Sequence, residues 1–271
     1  MTTQRDRILV LIPCYRCAPQ IGRVLAQFDP ETSRYFDEIL VLDNGSPDGT
    51  VEAATTALPN AHVQRVNIAR NRENYNLGGS HKAAFAYAAS GGFTHVVVLH
   101  GDDQGSIREL LPLLAAGKHR EYDACLGARF MRGSRLIGYS RFRIFGNRVF
   151  NALFALGARA PVLDLGSGLN IFARTIFEDS AHTRNADDLR FNVYLLLRAI
   201  DQRARLLFFP ISWREDDQIS NVRMFSQARK TLEILRQFIL DRAAFRSTDH
   251  RARPHDAYTF DVVARKPGAA T

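Results

Sequence analysis

The chain has few cysteines, no long apolar run and, over one stretch, no acidic residue at all. Three cysteines among 271 residues cannot make a disulfide framework, so the fold depends on its core. Cys14 and Cys17 have the spacing of a redox pair. Two thiols alone do not close a structural zinc site, and Cys125 is remote in sequence, so the pair reads as part of a substrate-lining loop. No apolar run approaches the roughly 18–20 residues that cross a bilayer. Residues 1–7 lead straight into Ile8–Ile12, too short and too β-like for a secretion signal. The expected location is therefore the cytoplasm, though not necessarily free in solution. From Arg129 to Arg159 there are seven arginines (129, 132, 135, 141, 143, 148 and 159) and no Asp or Glu, within a chain of net charge +8. Arginine binds phosphate bidentately and is lightly hydrated, which suits a phosphorylated ligand or an anionic lipid surface. No nucleic-acid-binding motif accompanies the patch, so nucleic acid is not expected as a partner.

What is present alternates between strand and helix. Strands are expected at Ile8–Ile12, Glu38–Leu42, His62–Asn67 and Val96–Leu99, with helices at Ala18–Phe28, Val51–Leu58, Ser80–Ala89 and Ser106–Ala115. This order predicts an α/β protein with a mostly parallel sheet covered on both faces. Ligands of such sheets bind beyond the carboxyl ends of the strands, where the polar clusters of this chain fall.

The most informative cluster is His100-Gly101-Asp102-Asp103-Gln104, which follows the apolar run Val96–Leu99. If extended geometry persists past Leu99, His100, Asp102 and Gln104 project from one face. An imidazole, a carboxylate and an amide oxygen together suit one divalent cation and the phosphates it neutralises. The plainer reading is a strand end capped by polar turn residues.

Four segments in order resemble the family 2 glycosyltransferases of GT-A fold, over about residues 8–221. They are Ile12-Pro13-Cys14-Tyr15, Leu42-Asp43-Asn44-Gly45-Ser46-Pro47-Asp48-Gly49-Thr50, Asn74-Tyr75-Asn76-Leu77-Gly78-Gly79, and the His100–Gln104 segment, where the Asp-x-Asp metal motif belongs. Later segments are similar to the polyprenyl-phosphate sugar synthases of the dolichyl-phosphate mannose synthase kind. These are Gly127-Ala128-Arg129, Asp164-Leu165-Gly166-Ser167-Gly168-Leu169-Asn170 and Pro210-Ile211-Ser212-Trp213-Arg214. The resemblance implies a three-layer α/β/α, Rossmann-like catalytic domain over residues 1–221. An amphipathic helix and tail over 222–271 would belong to the same unit.

The resemblance also implies the chemistry. A hexosyl group would pass with inversion from a GDP- or UDP-linked sugar to a polyprenyl phosphate at the cytoplasmic membrane face. Mn²⁺ or Mg²⁺ would be held by His100, Asp102 and Gln104. Asp102, Asp103, Arg129 and Arg214 would be catalytic, Asp103 as a base if the acceptor is a hydroxyl. Pro13, Tyr15, Asp43, Asn44, Asn76, Lys82, Asp164, Ser167, Trp213 and Gln218 would bind substrates. Lys82 and Arg214 would add positive charge beside the diphosphate. For Asp164 the plainer role is an ion pair with one of the arginines.

His100 stands where the family has aspartate, so the site has one carboxylate fewer. Imidazole leans toward Mn²⁺, or else touches substrate. Asn44 replaces a second aspartate of the nucleotide loop. Two other readings stay open: transfer to a sugar hydroxyl of a glycolipid or polysaccharide precursor, and a non-catalytic sugar-nucleotide- or lipid-binding protein. Between Phe142 and Leu156, residues Phe142, Phe145, Val149, Phe150, Leu153 and Leu156 recur at helical spacing. That face either packs on the protein's own core or lies in a membrane surface, with or without a separate membrane partner. A second pattern runs from Val222 to Ile239, and Phe260–Ala264 reads as a last short strand.

Overall fold

Apolar runs without alternation need cover on both faces. In the computed structural model, which describes residues 5–215 and 224–266, the runs become strands β1 Ile8–Cys14, β2 Glu38–Asp43 and β4 His95–Leu99, buried at every residue. Between them lies β3 Arg65–Asn71, and after them come β5 Ala124–Ala128, β6 Leu136–Ile137, β7 Leu169–Ala173, β8 Leu206–Pro210, β9 Trp213–Arg214 and β10 Phe260–Lys266. Eight of these strands form one sheet in the order β10-β3-β2-β1-β4-β7-β5-β8, and β6 pairs with β9. In the large sheet β7 runs antiparallel to β4 and β5, and β10 antiparallel to β3; all other neighbours are parallel.

The helices are α1 Ile21–Ala26, α2 Pro30–Ser33, α3 Thr50–Ala57, α4 Asn76–Ser90, α5 Leu111–Ala115, α6 Arg141–Ala158, α7 Arg174–Phe177, α8 Phe191–Asp201, α9 Met224–Leu240 and α10 Arg242–Ser247. Alternate strand residues sort the layers. Val10, Ile12, Val41 and Val97 meet Val24 and Leu25 of α1 and Ala54 of α3. Leu9, Leu11, Leu40 and Val98 meet Phe85 of α4, Phe177 of α7 and Leu195 of α8. A third cluster joins Phe154, Leu197, Phe238 and Phe245 from α6, α8, α9 and α10. The architecture is the expected three-layer α/β/α fold. No helix among the described residues is long and apolar enough to cross a membrane.

Of the expected boundaries that move, three have a clear local reason. β3 starts at Arg65, because the His62 N–H is used on the Phe28 carbonyl. α4 starts at Asn76, so Gly78 and Gly79 lie inside its first turn. A Cβ on Gly78 would stand 2.6 Å from the Phe191 Cβ, so the glycine marks close packing of helix on helix. Ser106–Ala115 divides into a 3₁₀ turn, Ile107–Leu110, and α5, whose second residue is Pro112. Proline lacks an N–H and fits only the first turn.

His81 on α4 and His182, near the same core, are buried, and burial pushes both down to about 4. Unfolded, they bind protons near 6.5, so unfolding takes up protons between the two values. Their contribution to stability is complete above pH 6.5 and is lost as the pH falls toward 4. At pH 5 each costs on the order of 2 kcal/mol, and these two alone should lower Tm by roughly 8 °C relative to pH 7. Scanning calorimetry at the two pH values checks this; an unchanged Tm would refute it.

Candidate active site

The carboxyl ends of β1, β2 and β4 open into a cleft of about 490 Å³. Pro13, Tyr15 and Cys17 line it from the end of β1, Asn44 from the end of β2, and His100, Gly101 and Asp102 from the end of β4. Asn74, Asn76 and Leu77 enter from the start of α4, and Asp188 and Leu189 from the turn before α8.

The segment after β4 is pinned on two sides. The Gly101 N–H donates to the Pro13 carbonyl at 3.1 Å, and the His100 N–H to the Gly168 carbonyl at 2.9 Å. A Cβ on Gly101 would collide with the Cys14 sulfur, so only glycine lets the segment lie this close to β1. The strand ends at Leu99, and Asp103 takes φ 57°, in the left-handed region. Period-two projection of His100, Asp102 and Gln104 is therefore not the geometry. His100 and Asp102 reach the cleft through a turn. The side chain of Gln104 is not part of its wall, its N–H donating to Asp102 Oδ1 at 3.3 Å and its carbonyl accepting from the Arg214 N–H.

His100 Nε2 is buried and has no hydrogen-bond partner among the described residues. Burial, and then the Arg129 charge, pushes His100 down to about 4, so the ring is neutral with a lone pair available. An orphaned imidazole nitrogen and a carboxylate in one cleft fit a divalent ion of the Mn²⁺ type.

The other expected site residues divide. Pro13, Tyr15, Asn44 and Asn76 are in the cleft wall. Asn44 is held by Asn74, by Asn71 and by the Tyr75 N–H at 2.8–3.0 Å, which joins the ends of β2 and β3 to α4. Asp43 is fully buried and shapes its own loop. Its carboxylate accepts from the Gly45 and Ser46 N–H groups and faces Arg70 at 3.5 Å.

Lys82 is not in the cleft wall. It is buried, and its Nζ donates to Asp187 at 2.5 Å and to the Asn185 carbonyl at 2.6 Å, under the Tyr258 ring. Burial lowers its pKa to about 8 although Asp187 opposes the shift. The partners lie 103 and 105 residues away, so no local pattern announced them.

Asp103 is likewise engaged: Arg23 (2.7 Å) and Arg214 (2.6 Å) share one carboxylate oxygen and Gln27 (3.1 Å) takes the other. So held, it anchors the loop. Trp213 is buried against Gly105 and Gly168, and the Ser167 hydroxyl donates to the Leu169 carbonyl. Gln218 lies outside the described residues.

Arg129 and Asp164 find each other. Arg129 Nε and Nη2 donate to the two carboxylate oxygens at 2.8 Å, and its backbone N–H adds a third bond at 3.0 Å. Burial works against the guanidinium charge, but Asp164 outweighs it and raises the Arg129 pKa. The guanidinium also lies over Trp213, 5.3 Å from the ring centroid. Arg129→Ala would leave a buried carboxylate unpaired, so it should destabilise the protein by about 3–5 kcal/mol in urea unfolding. Lost activity at unchanged stability would mean instead that Arg129 faces substrate.

Asp188 and Leu189 complete the wall and were not singled out from the sequence, whereas Cys17 lines the cleft as its loop predicted and Asn74 and Leu77 belong to the third resemblance segment. The signal for the first two was the acidic doublet Asp187-Asp188 just before the apolar run of α8.

Residues 9–180 match the family model described as glycosyl transferase family 2. The chain is 24% identical over 211 residues to polyprenol monophosphomannose synthase of Mycolicibacterium smegmatis, covering 78% of each. It is 26% identical to undecaprenyl-phosphate mannosyltransferase of Micrococcus luteus, covering 77% of this chain and 84% of that one. Among solved structures it resembles glucosyl-3-phosphoglycerate synthase of Mycobacterium tuberculosis in complex with Mn²⁺, UDP and glucosyl-3-phosphoglycerate. That match has a TM-score of 0.60 at 16% identity, covering 97% of this chain and 90% of that one.

Proposed function

This chain belongs to glycosyl transferase family 2, and on that footing we propose that it moves a hexosyl group, with inversion, from a GDP- or UDP-linked sugar to a polyprenyl phosphate at the cytoplasmic face of a membrane. The observation that carries the acceptor is the outer face of α6. Phe142, Phe145 and Leu156 are 72%, 66% and 78% exposed, and Val149 and Leu153 lie beside them. The helix packs inward through Asn151, Phe154 and Ala158 instead. An aromatic face turned to water and set among arginines suits a lipid headgroup boundary. The two mannosyl-transferring relatives named above, of Mycolicibacterium smegmatis and Micrococcus luteus, carry this acceptor class in their names. α6 is also coupled to the cleft: Arg143 pairs with Glu215, next to Arg214, which holds Asp103.

Within the cleft, Pro13, Tyr15 and Asn44 frame the nucleotide, and Asp102 with His100 would hold the cation. When bound, that ion supplies the positive charge that stabilises the departing diphosphate. A phosphate acceptor is already an anionic nucleophile, so no side chain has to remove a proton, and Asp103 serves as a positioning residue. The same reading takes residues 1–221 as the catalytic domain and 222–271 as part of one unit with it. Supporting this, β10 pairs with β3, and Tyr258 bonds Asp187.

One observation favours a sugar hydroxyl as acceptor: Asp188 is a second carboxylate in the cleft wall. Arg190 holds both its oxygens at 2.8 and 3.0 Å, which weakens it as a base. The experiment is transfer from labelled nucleotide sugars with Mn²⁺, with and without polyprenyl phosphate in detergent. An organic-extractable product that disappears in Asp102→Asn supports the lipid-phosphate reading. A water-soluble glycan product lost in Asp188→Asn replaces it with the second. A protein that binds no donor overturns both.

A further inference from the structure

We propose that Asp6, His95 and His119, at the end of the sheet opposite the cleft, form a second divalent-cation site of the zinc class. Asp6 precedes β1, His95 opens β4 opposite Ile8 of β1, and His119 lies in the short 3₁₀ turn before β5. From His95 to the cleft, β4 advances by about 16 Å, so the two sites share no ligand.

Both imidazoles are buried, 7% and 3% exposed, and their ring centroids are 4.9 Å apart, edge to face. His119 Nε2 is 3.1 Å from Asp6 Oδ2, and His95 Nδ1 is 3.9 Å from Oδ1. One ligand atom from each residue lies within 4.8 Å of the other two. Among the described residues no other set of three His, Cys, Asp or Glu converges in this way.

Two histidines and a carboxylate with a fourth position open is a zinc donor set, and imidazole selects against Mg²⁺ and Ca²⁺. His119 Nε2 faces the Asp6 carboxylate, to which it donates, so the ion would take the place of that proton between the two groups, while the buried Nδ1 has no partner. Thr94 Oγ1, 2.9 Å from His95 Nδ1, is the hydroxyl that the ion displaces or that turns the ring. The charge facing the site is Arg120, whose Nη2 holds Asp6 Oδ2 at 2.7 Å and leaves Oδ1 for the ion. The ion would tie together three segments, the outer two 113 residues apart, so its effect is on stability rather than on transfer.

The test is Zn²⁺ titration of the chelator-treated full chain by calorimetry, with Tm measured alongside. Expected are one equivalent bound beyond any held in the cleft, a Tm higher by roughly 5 °C at saturation, and loss of both in His95→Gln and His119→Gln. Asp102→Asn should retain both, which separates this site from the cleft and from the reading proposed for it. Absence of binding, or binding indifferent to the two histidines, overturns the proposal. Should the histidine variants fail to fold, Co²⁺ in the parent chain decides. A four-coordinate d–d band without thiolate charge transfer supports the site. A thiolate band, pointing to Cys14 and Cys17, or no band, refutes it.

Discussion

Asp102→Asn should lower the rate of hexosyl transfer about 10³-fold. Of His100, Asp102 and Gln104 it alone carries a charge, because His100 is held neutral by burial and by Arg129. The amide keeps the size of the side chain and an oxygen to accept the Gln104 N–H, so the turn survives and the loss falls on the chemistry. Raising Mn²⁺ should not restore the rate, and chelation of the parent enzyme should reproduce the defect. His100→Asp tests the same reasoning in the other direction: a second carboxylate should move the preference from Mn²⁺ toward Mg²⁺. Initial rates across a metal series measure both variants. Retention of more than a tenth of the parent rate in Asp102→Asn would remove the metal from the mechanism.

The second large effect is expected at the membrane. Phe142→Glu with Phe145→Glu should weaken binding to anionic phospholipid vesicles at least about 100-fold, since each buried phenylalanine contributes roughly 1.5–3 kcal/mol. Both side chains are already mostly in water, so Tm should hold. Donor binding in solution should hold too, because neither residue lines the cleft. Vesicle sedimentation and lipid-phosphate transfer on the same vesicles give the two readouts. Undiminished sedimentation of the double variant would assign the α6 face to another partner. This separates the two possibilities that periodicity left open, a face on the core or a face in the lipid. Helical spacing says that a stripe exists; what it faces depends on which side the rest of the chain covers. Here Phe154 and Ala158, not Phe142 and Phe145, meet α8 and α9.

Legibility followed how local each interaction is. β1, β2 and β4 announce themselves as unbroken apolar runs, and the cleft follows from where their carboxyl ends fall. β5, β7 and β8 received no strand assignment. In Ala124–Ala128 the small residues look like weak β formers, yet a Cβ on Gly127 would collide with the Leu169 carbonyl of β7. Close packing demands the composition that disguises the strand. His100 and Asp102 could be placed in the cleft because their neighbours in sequence are their neighbours in space. Lys82 was chosen for charge, Asp103 as a base and Arg129 from the resemblance, and their partners Asp187, Arg23 with Arg214, and Asp164 come from distant segments, of which only the pairing of Asp164 with an arginine was anticipated. A charge that seems available in sequence is often committed to a partner that only the tertiary fold supplies.

The order in which the sheet is assembled carries a last consequence. β3 has β2 on one side, but its other edge pairs with β10, and the Arg72–Asp261 ion pair beside that junction spans 189 residues. At about 5–20 residues per second, a ribosome takes roughly 10–40 s to supply the missing strand. Throughout that interval the growing chain presents a ready-made template for intermolecular pairing. Expression yield should therefore respond to translation speed and to holdase chaperones more than the stability of the finished enzyme would suggest.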